Sequence, residues 1–181
     1  MAGQKKKSNQ SELWAGRIAR ASDLILSSKM VAIDPSVAST SSKPGYALFQ
    51  AGVFIEQGIF DISPKPLLSV RLRHIKCMIR EYFLDVDVAI IEQVPVKPIR
   101  TKKQAQETGK TWMNHQAHNS LMQAIGATKA SFELETELFD MPAPLWQKIA
   151  RNNGWIIDKA DDSDARLIGE ATLHIARGSK K

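Results

Sequence analysis

Val31-Ala32-Ile33-Asp34-Pro35 is an apolar run that stops on a carboxylate, and Val86-Asp87-Val88-Ala89-Ile90-Ile91-Glu92-Gln93 repeats that form further along the chain. Each reads as a buried strand that delivers an acid to its mouth, and Pro35 with the small polar residues after it breaks the first. Between them, Gly45 to Phe49 and Val53 to Phe60 are strand-like and separated by only Gln50, Ala51 and Gly52, which implies an antiparallel meander. Leu68, Leu72, Ile75, Ile79 and Tyr82 then step by four, three, four and three, a helix with one buried face and with Arg71, Arg73, Lys76 and Arg80 largely on the others. A strand, a helix and a second strand of this kind make a crossover with parallel strands. Asp34 and Glu92 then stand at the same carboxyl-terminal sheet edge, where open α/β sheets place their sites.

Toward the amino terminus, Lys5-Lys6-Lys7 sits among polar residues in a basic arm ending near Gln10. Trp14, Ile18, Ala21 and Ile25 recur at helical spacing, and Ser11 can cap. Residues 12 to 28 are therefore expected to form one amphipathic helix that packs on the main domain or a partner. This divides the chain into residues 1–29, arm and helix, and a domain over 30–181.

Toward the carboxyl terminus, Pro95 to Lys103 is an extended basic loop beside Glu92. Residues 104 to 126 can form a helix, and Ser131 to Phe139 alternates apolar residues with Glu133, Glu135 and Glu137 as a half-exposed strand does. Pro142 and Pro144 open a short helix carrying Leu145, Trp146 and Ile149, which Asn152-Asn153-Gly154 stops. The last helix begins near Asp162 and keeps Ile168, Ala171, Thr172 and Ile175 on one face. After the first helix the order is β-β-β-α-β-α-β-α-α.

Positive charge is segregated within a net +6. Residues 1–30 hold six Lys and Arg against two acids, and residues 97–130 hold six against one. Two basic segments around a body with acidic strand ends suggest a polyanionic partner, nucleic acid first. Lys97, Arg100, Lys102, Lys103 and Lys110 are the expected contacts. No stretch approaches a membrane span or a secretory signal, and the single Cys77 excludes an internal disulfide and any zinc site of several cysteines. An intracellular location is expected.

Asp161 and Asp164 are three apart at a helix start, hence on adjacent turns of one face. Against the two strand mouths they would complete an all-oxygen cluster suited to Mg²⁺ or Mn²⁺. Two such ions can activate a water and stabilise the leaving oxygen of a phosphodiester displacement. Asp158 and Asp162 form a competing pair near the same turn. Acids at a helix start also serve as caps and offset the helix dipole, so this cluster gains its weight from the two strand ends. His115 and His118 lack acidic or cysteine partners nearby, and there is neither a Gly-rich phosphate loop nor a nucleophile elbow. Trp14, Trp112, Trp146 and Trp155 read as packing residues before base-stacking ones.

Three pieces in order, Ala32-Ile33-Asp34-Pro35 with Gly45-Tyr46, Ala89-Ile90-Ile91-Glu92-Gln93-Val94, and Asp161-Asp162-Ser163-Asp164-Ala165, resemble the RuvC-type Holliday junction resolvases of the RNase H-like superfamily. The resemblance covers roughly residues 30 to 176. It implies an RNase H-like mixed five-stranded sheet, first three strands antiparallel, flanked by helices, with the amino-terminal helix as an addition. It further implies a homodimer acting on branched DNA, chiefly the four-way junction. Asp34, Glu92, Asp161 and Asp164 would be catalytic ligands to two Mg²⁺ ions, Mn²⁺ substituting, and nicks would leave 5′-phosphate and 3′-hydroxyl ends. The chain departs from the family pattern at Ser36, where a Gly is usual, and at Pro95, where an aromatic is common, as a divergent, phage-type branch would. A catalytically silent nucleic-acid-binding module on the same fold is the alternative. An actin-like or sugar-kinase-like nucleotide domain would need a second lobe and glycine-rich phosphate loops, which this length and sequence do not supply.

Overall fold

The computed structural model of the chain describes residues 10–35, 43–62, 67–93, 115–157 and 161–179. Its elements are α1 (Gln10–Arg20), α2 (Ser22–Ser27), β1 (Lys29–Asp34), β2 (Gly45–Gln50), β3 (Val53–Ile59), α3 (Leu68–Tyr82), β4 (Val88–Gln93), α4 (His115–Lys129), β5 (Glu137–Pro142), α5 (Ala143–Asn152) and α6 (Asp161–Gly178). The strands form one sheet in the order β3-β2-β1-β4-β5. β1, β2 and β3 pair antiparallel, while β4 pairs parallel with β1 and β5 parallel with β4. This is the mixed RNase H-like sheet expected from the sequence, with helices on both faces.

The centre of the sheet follows from its composition. Met30, Val31, Ala32 and Ile33 are all fully buried, the continuous apolar run of a strand covered on both sides. Alternation then divides the core. Met30, Ala32, Val88 and Ile90 face a cluster with Ile18, Ile25, Trp146, Ala165 and Ile168, from α1, α2, α5 and α6. Val31, Ile33 and Ala89 face Ile75 and Ile79 of α3, Ala124 of α4, and the aromatics Phe60 and Phe83. Each fully buried large aliphatic or aromatic side chain contributes about 1.5–3 kcal/mol of transfer free energy.

Two contacts fix the long helix α6 against the sheet. At one end the Arg177 guanidinium donates to the Gly52 carbonyl at 2.7 Å. That carbonyl lies in the β2–β3 turn, where Ala51 and Gly52 both have positive φ, 49° and 74°, as tight hairpin turns require. Midway, Gly169 lies so close to β2 that a Cβ there would overlap the buried Phe49 ring. Because Gln50 pairs with Lys29 and Gly45 with Asp34, α6 runs from the Asp34 edge of the sheet to the opposite one.

Several sequence expectations change at their ends. The single helix over 12–28 is two helices broken at Ala21, whose ψ of 17° leaves helical geometry. Ile18 and Ile25 from its two halves still enter the main core. Tyr82, placed on the buried face of α3, is 60% exposed; the helix ends there, and Phe83 turns inward in its place. The strand expected over 131–139 is displaced to Glu137–Pro142. Residues up to Lys129 remain helical, the Ser131 hydroxyl bonds back to the Ala127 carbonyl, and Leu134 is 99% exposed in the turn. Pairing begins only where the Glu137 amide reaches the Asp87 carbonyl at the start of β4. The part of the expected 104–126 helix before residue 115 lies outside the described residues.

Candidate functional site

The parallel register of β1 and β4 sets the site. Ile33 pairs with Ile91, so Asp34 and Glu92 come one step later on neighbouring strands. Both are in phase with Met30, Ala32, Val88 and Ile90, so period-two alternation turns both toward the face covered by α5 and α6. Their side chains hydrogen-bond to one another. Asp34 is buried, 6% exposed, and Glu92 is half-buried.

Two carboxyl groups in hydrogen-bond contact share a proton, because neither oxygen can donate otherwise. Burial pushes the Glu92 carboxyl above the usual carboxylate range, and hydrogen bonds from Trp146 and Asp34 oppose that rise in part. The Trp146 bond is explicit: the indole Nε1–H donates to Glu92 Oε1 at 2.9 Å. Trp146 is 1% exposed. It arrives because β5 lies beside β4, with Met141 opposite Glu92 and Pro142 opposite Gln93, and α5 starts at the next residue with Pro144 in its first turn. The sequence marked Trp146 as a packing residue, which it is. Its hold on Glu92 was missed, since it shows only once β5 is known to flank β4; the available signal was that a buried indole N–H needs an acceptor.

Asp164 stands in the first turn of α6, half-buried. It is four residues before Ile168 and seven before Ala171, both fully buried, so helical phase puts it on the inward stripe. At 1.5 Å per residue it lies roughly 7–8 Å up the helix from Gly169, toward the edge where β1 and β4 end. Asp161 is the first residue of α6; its side chain and that of Asp162 lie outside the described residues, as does Asp158 altogether. Lys97, Arg100, Lys102, Lys103 and Lys110 also lie outside them.

Among the described residues no three His, Cys, Asp or Glu side chains gather in a group able to hold a metal ion. The described donors are the Asp34–Glu92 pair, and their chemistry fits a hard cation: oxygen ligands, buried together, whose shared proton a divalent ion can replace.

No protein-family model matches the sequence, and no curated protein matches it. Among solved structures the chain is similar to RuvC of Thermus thermophilus. The match to that protein alone has 11% identity and a TM-score of 0.47, covering 84% of this chain and 96% of the other. With RuvC in complex with a Holliday junction substrate the identity is 11% and the TM-score 0.45, covering 83% and 94%. Likeness at this level identifies no chemistry.

Proposed function

We propose that the chain is a divalent-metal-dependent, structure-selective endonuclease that hydrolyses phosphodiesters in branched DNA, with the four-way junction as substrate. The observation that carries this reading is the Asp34–Glu92 contact: two buried acids on adjacent parallel strand ends, hydrogen-bonded to each other, with the start of α6 directed to the same edge. A protein gains no stability from pressing two carboxyl groups together in a half-buried site, and a cation-binding role accounts for it.

Asp34 and Glu92 would hold Mg²⁺, with Asp164 and Asp161 brought to them by α6. The bound ions supply a nucleophilic hydroxide near neutral pH and charge stabilisation of the leaving oxygen. The chain's own part is to exclude water with the apolar strand ends behind Asp34, to orient Glu92 through Trp146, and to keep both carboxyls deprotonated once cations are present. Lys97, Arg100, Lys102, Lys103 and Lys110 would bind the phosphate backbone, sequence-independently and with marked salt dependence. A homodimer would present two such sites to the two strands of a junction.

The test is incubation of the purified chain with labelled four-way junction, flap and linear duplex, with Mg²⁺ or with chelator. Symmetric Mg²⁺-dependent cuts confined to the junction support the reading. Salt-sensitive binding without any product would replace it with a silent DNA-binding module.

A further inference from the structure

Outside the carboxylate pair itself, the group that touches the site and that neither packing nor charge accounts for is the Trp146 indole N–H. An indole needs one acceptor when buried, and a helix following β5 could have offered a free backbone carbonyl. Instead Nε1–H reaches Glu92 Oε1 at 2.9 Å. The ring cannot easily turn away, because it is 1% exposed and belongs to the cluster that contains Met141, Ala150 and Ala165. Glu92 is thus held from two sides, by Trp146 on Oε1 and by the Asp34 carboxyl.

We propose that Trp146 is a positioning residue that sets how Glu92 meets a cation: with Oε1 held by the indole, Glu92 offers one oxygen, and the site thereby favours Mg²⁺ over Ca²⁺. This inference rests on the metal-site reading above. Mg²⁺ requires a near-octahedral shell at about 2.0–2.1 Å and is satisfied by single carboxylate oxygens and waters. Ca²⁺ takes six to eight oxygens at about 2.3–2.6 Å and readily uses both oxygens of one carboxylate. For Glu92 to turn both oxygens to an ion, it must break the Trp146 bond and leave a buried N–H without an acceptor. That penalty falls on Ca²⁺ alone.

The experiment is isothermal titration of the full chain with Mg²⁺ alone and with Ca²⁺ alone, without DNA. It compares the wild type with Trp146→Phe and with a chain in which position 146 carries the benzothiophene isostere of tryptophan. The isostere keeps the shape and removes only the N–H, so it remains informative if Trp146→Phe does not fold. The expected result is a rise of roughly tenfold in the Ca²⁺-to-Mg²⁺ affinity ratio on loss of the N–H, which corresponds to about 1.4 kcal/mol. A residue that merely fills space would alter both affinities together. An unshifted ratio, whether both affinities hold or both fall, overturns the inference and leaves the endonuclease reading standing. Failure of the wild-type chain to bind Mg²⁺ at all sinks the reading underneath it as well.

Discussion

The two faces of the sheet are built from the same five strands and do different work. On the α3–α4 face the core is closed by aromatics: Tyr46 lies 5.4 Å from Phe60 and 5.2 Å from Phe83, ring to ring, and Ile75 and Ile79 pack behind them. On the other face α6 presses so near to β2 that Gly169 has no room for a side chain, and the strand ends turn Asp34 and Glu92 inward. A one-residue slip of register would exchange the faces and send both acids to the aromatic side. Strand alternation alone therefore decides which helix the acids meet, and the small residues of α6 decide how closely.

The sharpest way to break the comparison is Asp34→Asn. It preserves shape and a hydrogen bond to Glu92 while removing the charge on the site face only. Cleavage of a four-way junction with saturating Mg²⁺ should fall by at least about 10³-fold, on the order of 4 kcal/mol of transition-state stabilisation, with junction binding largely retained. Cleavage at the normal rate would remove Asp34 from the chemistry. Cys77→Ser, at an exposed position of α3 on the far face, should leave the rate unchanged.

Gly169→Ala comes next. The added Cβ would overlap the Phe49 ring, which is itself fully buried, so the helix must lift or the ring must move. Overpacking of this kind costs about 1–3 kcal/mol, read as a lower urea midpoint at an unchanged m-value. Because α6 carries Asp164, Mg²⁺ affinity should fall along with stability. An unchanged midpoint would mean that the close approach at Gly169 is not what seats the helix.

These two positions also show how much was legible in the sequence. The strand ends were: an apolar run that stops on an acid, twice, with a crossover helix between, leaves few other arrangements, and the observed register pairs them. The displaced β5 was not legible, because the alternation from Phe132 to Leu138 fits a strand equally well in isolation. Only the position of Asp87 on β4 decides that pairing starts at Glu137. Trp146 was read correctly as core, yet its bond to Glu92 depends on β5 and β4 being neighbours, a long-range fact that no local pattern carries. Gly169 likewise resembles any helical glycine until Phe49 is known to lie beneath it.

The charge asymmetry between the faces should appear in the pH dependence of the metal-free protein. Burial, opposed by the hydrogen bonds from Trp146 and Asp34, raises the Glu92 carboxyl in the folded state above its ordinary 4.5. The folded chain then holds more protons than the unfolded chain between those two values. This contribution to stability is complete below the unfolded value and is lost as pH rises through the folded one. In chelator, the urea midpoint of the wild type should fall across that window, and Glu92→Gln, which cannot ionise, should lack this component of the fall. Equal slopes for the two proteins would show that Glu92 does not carry the strain.

The smallest effect sharpens the comparison from the quiet side. Gly126 lies in α4, on the aromatic face, and a Cβ there meets nothing within 4 Å. Its backbone is helical and exposed, so the glycine contributes only disorder to the unfolded chain and none of the close approach that Gly169 provides. Gly126→Ala should therefore stabilise the protein by about 0.5–1 kcal/mol, with Mg²⁺ affinity and cleavage unchanged. The same substitution in two helices on opposite faces then has opposite signs. A destabilised Gly126→Ala chain would show that α4 is covered in solution by something a Cβ disturbs, and the contrast between a built face and an open one would not hold.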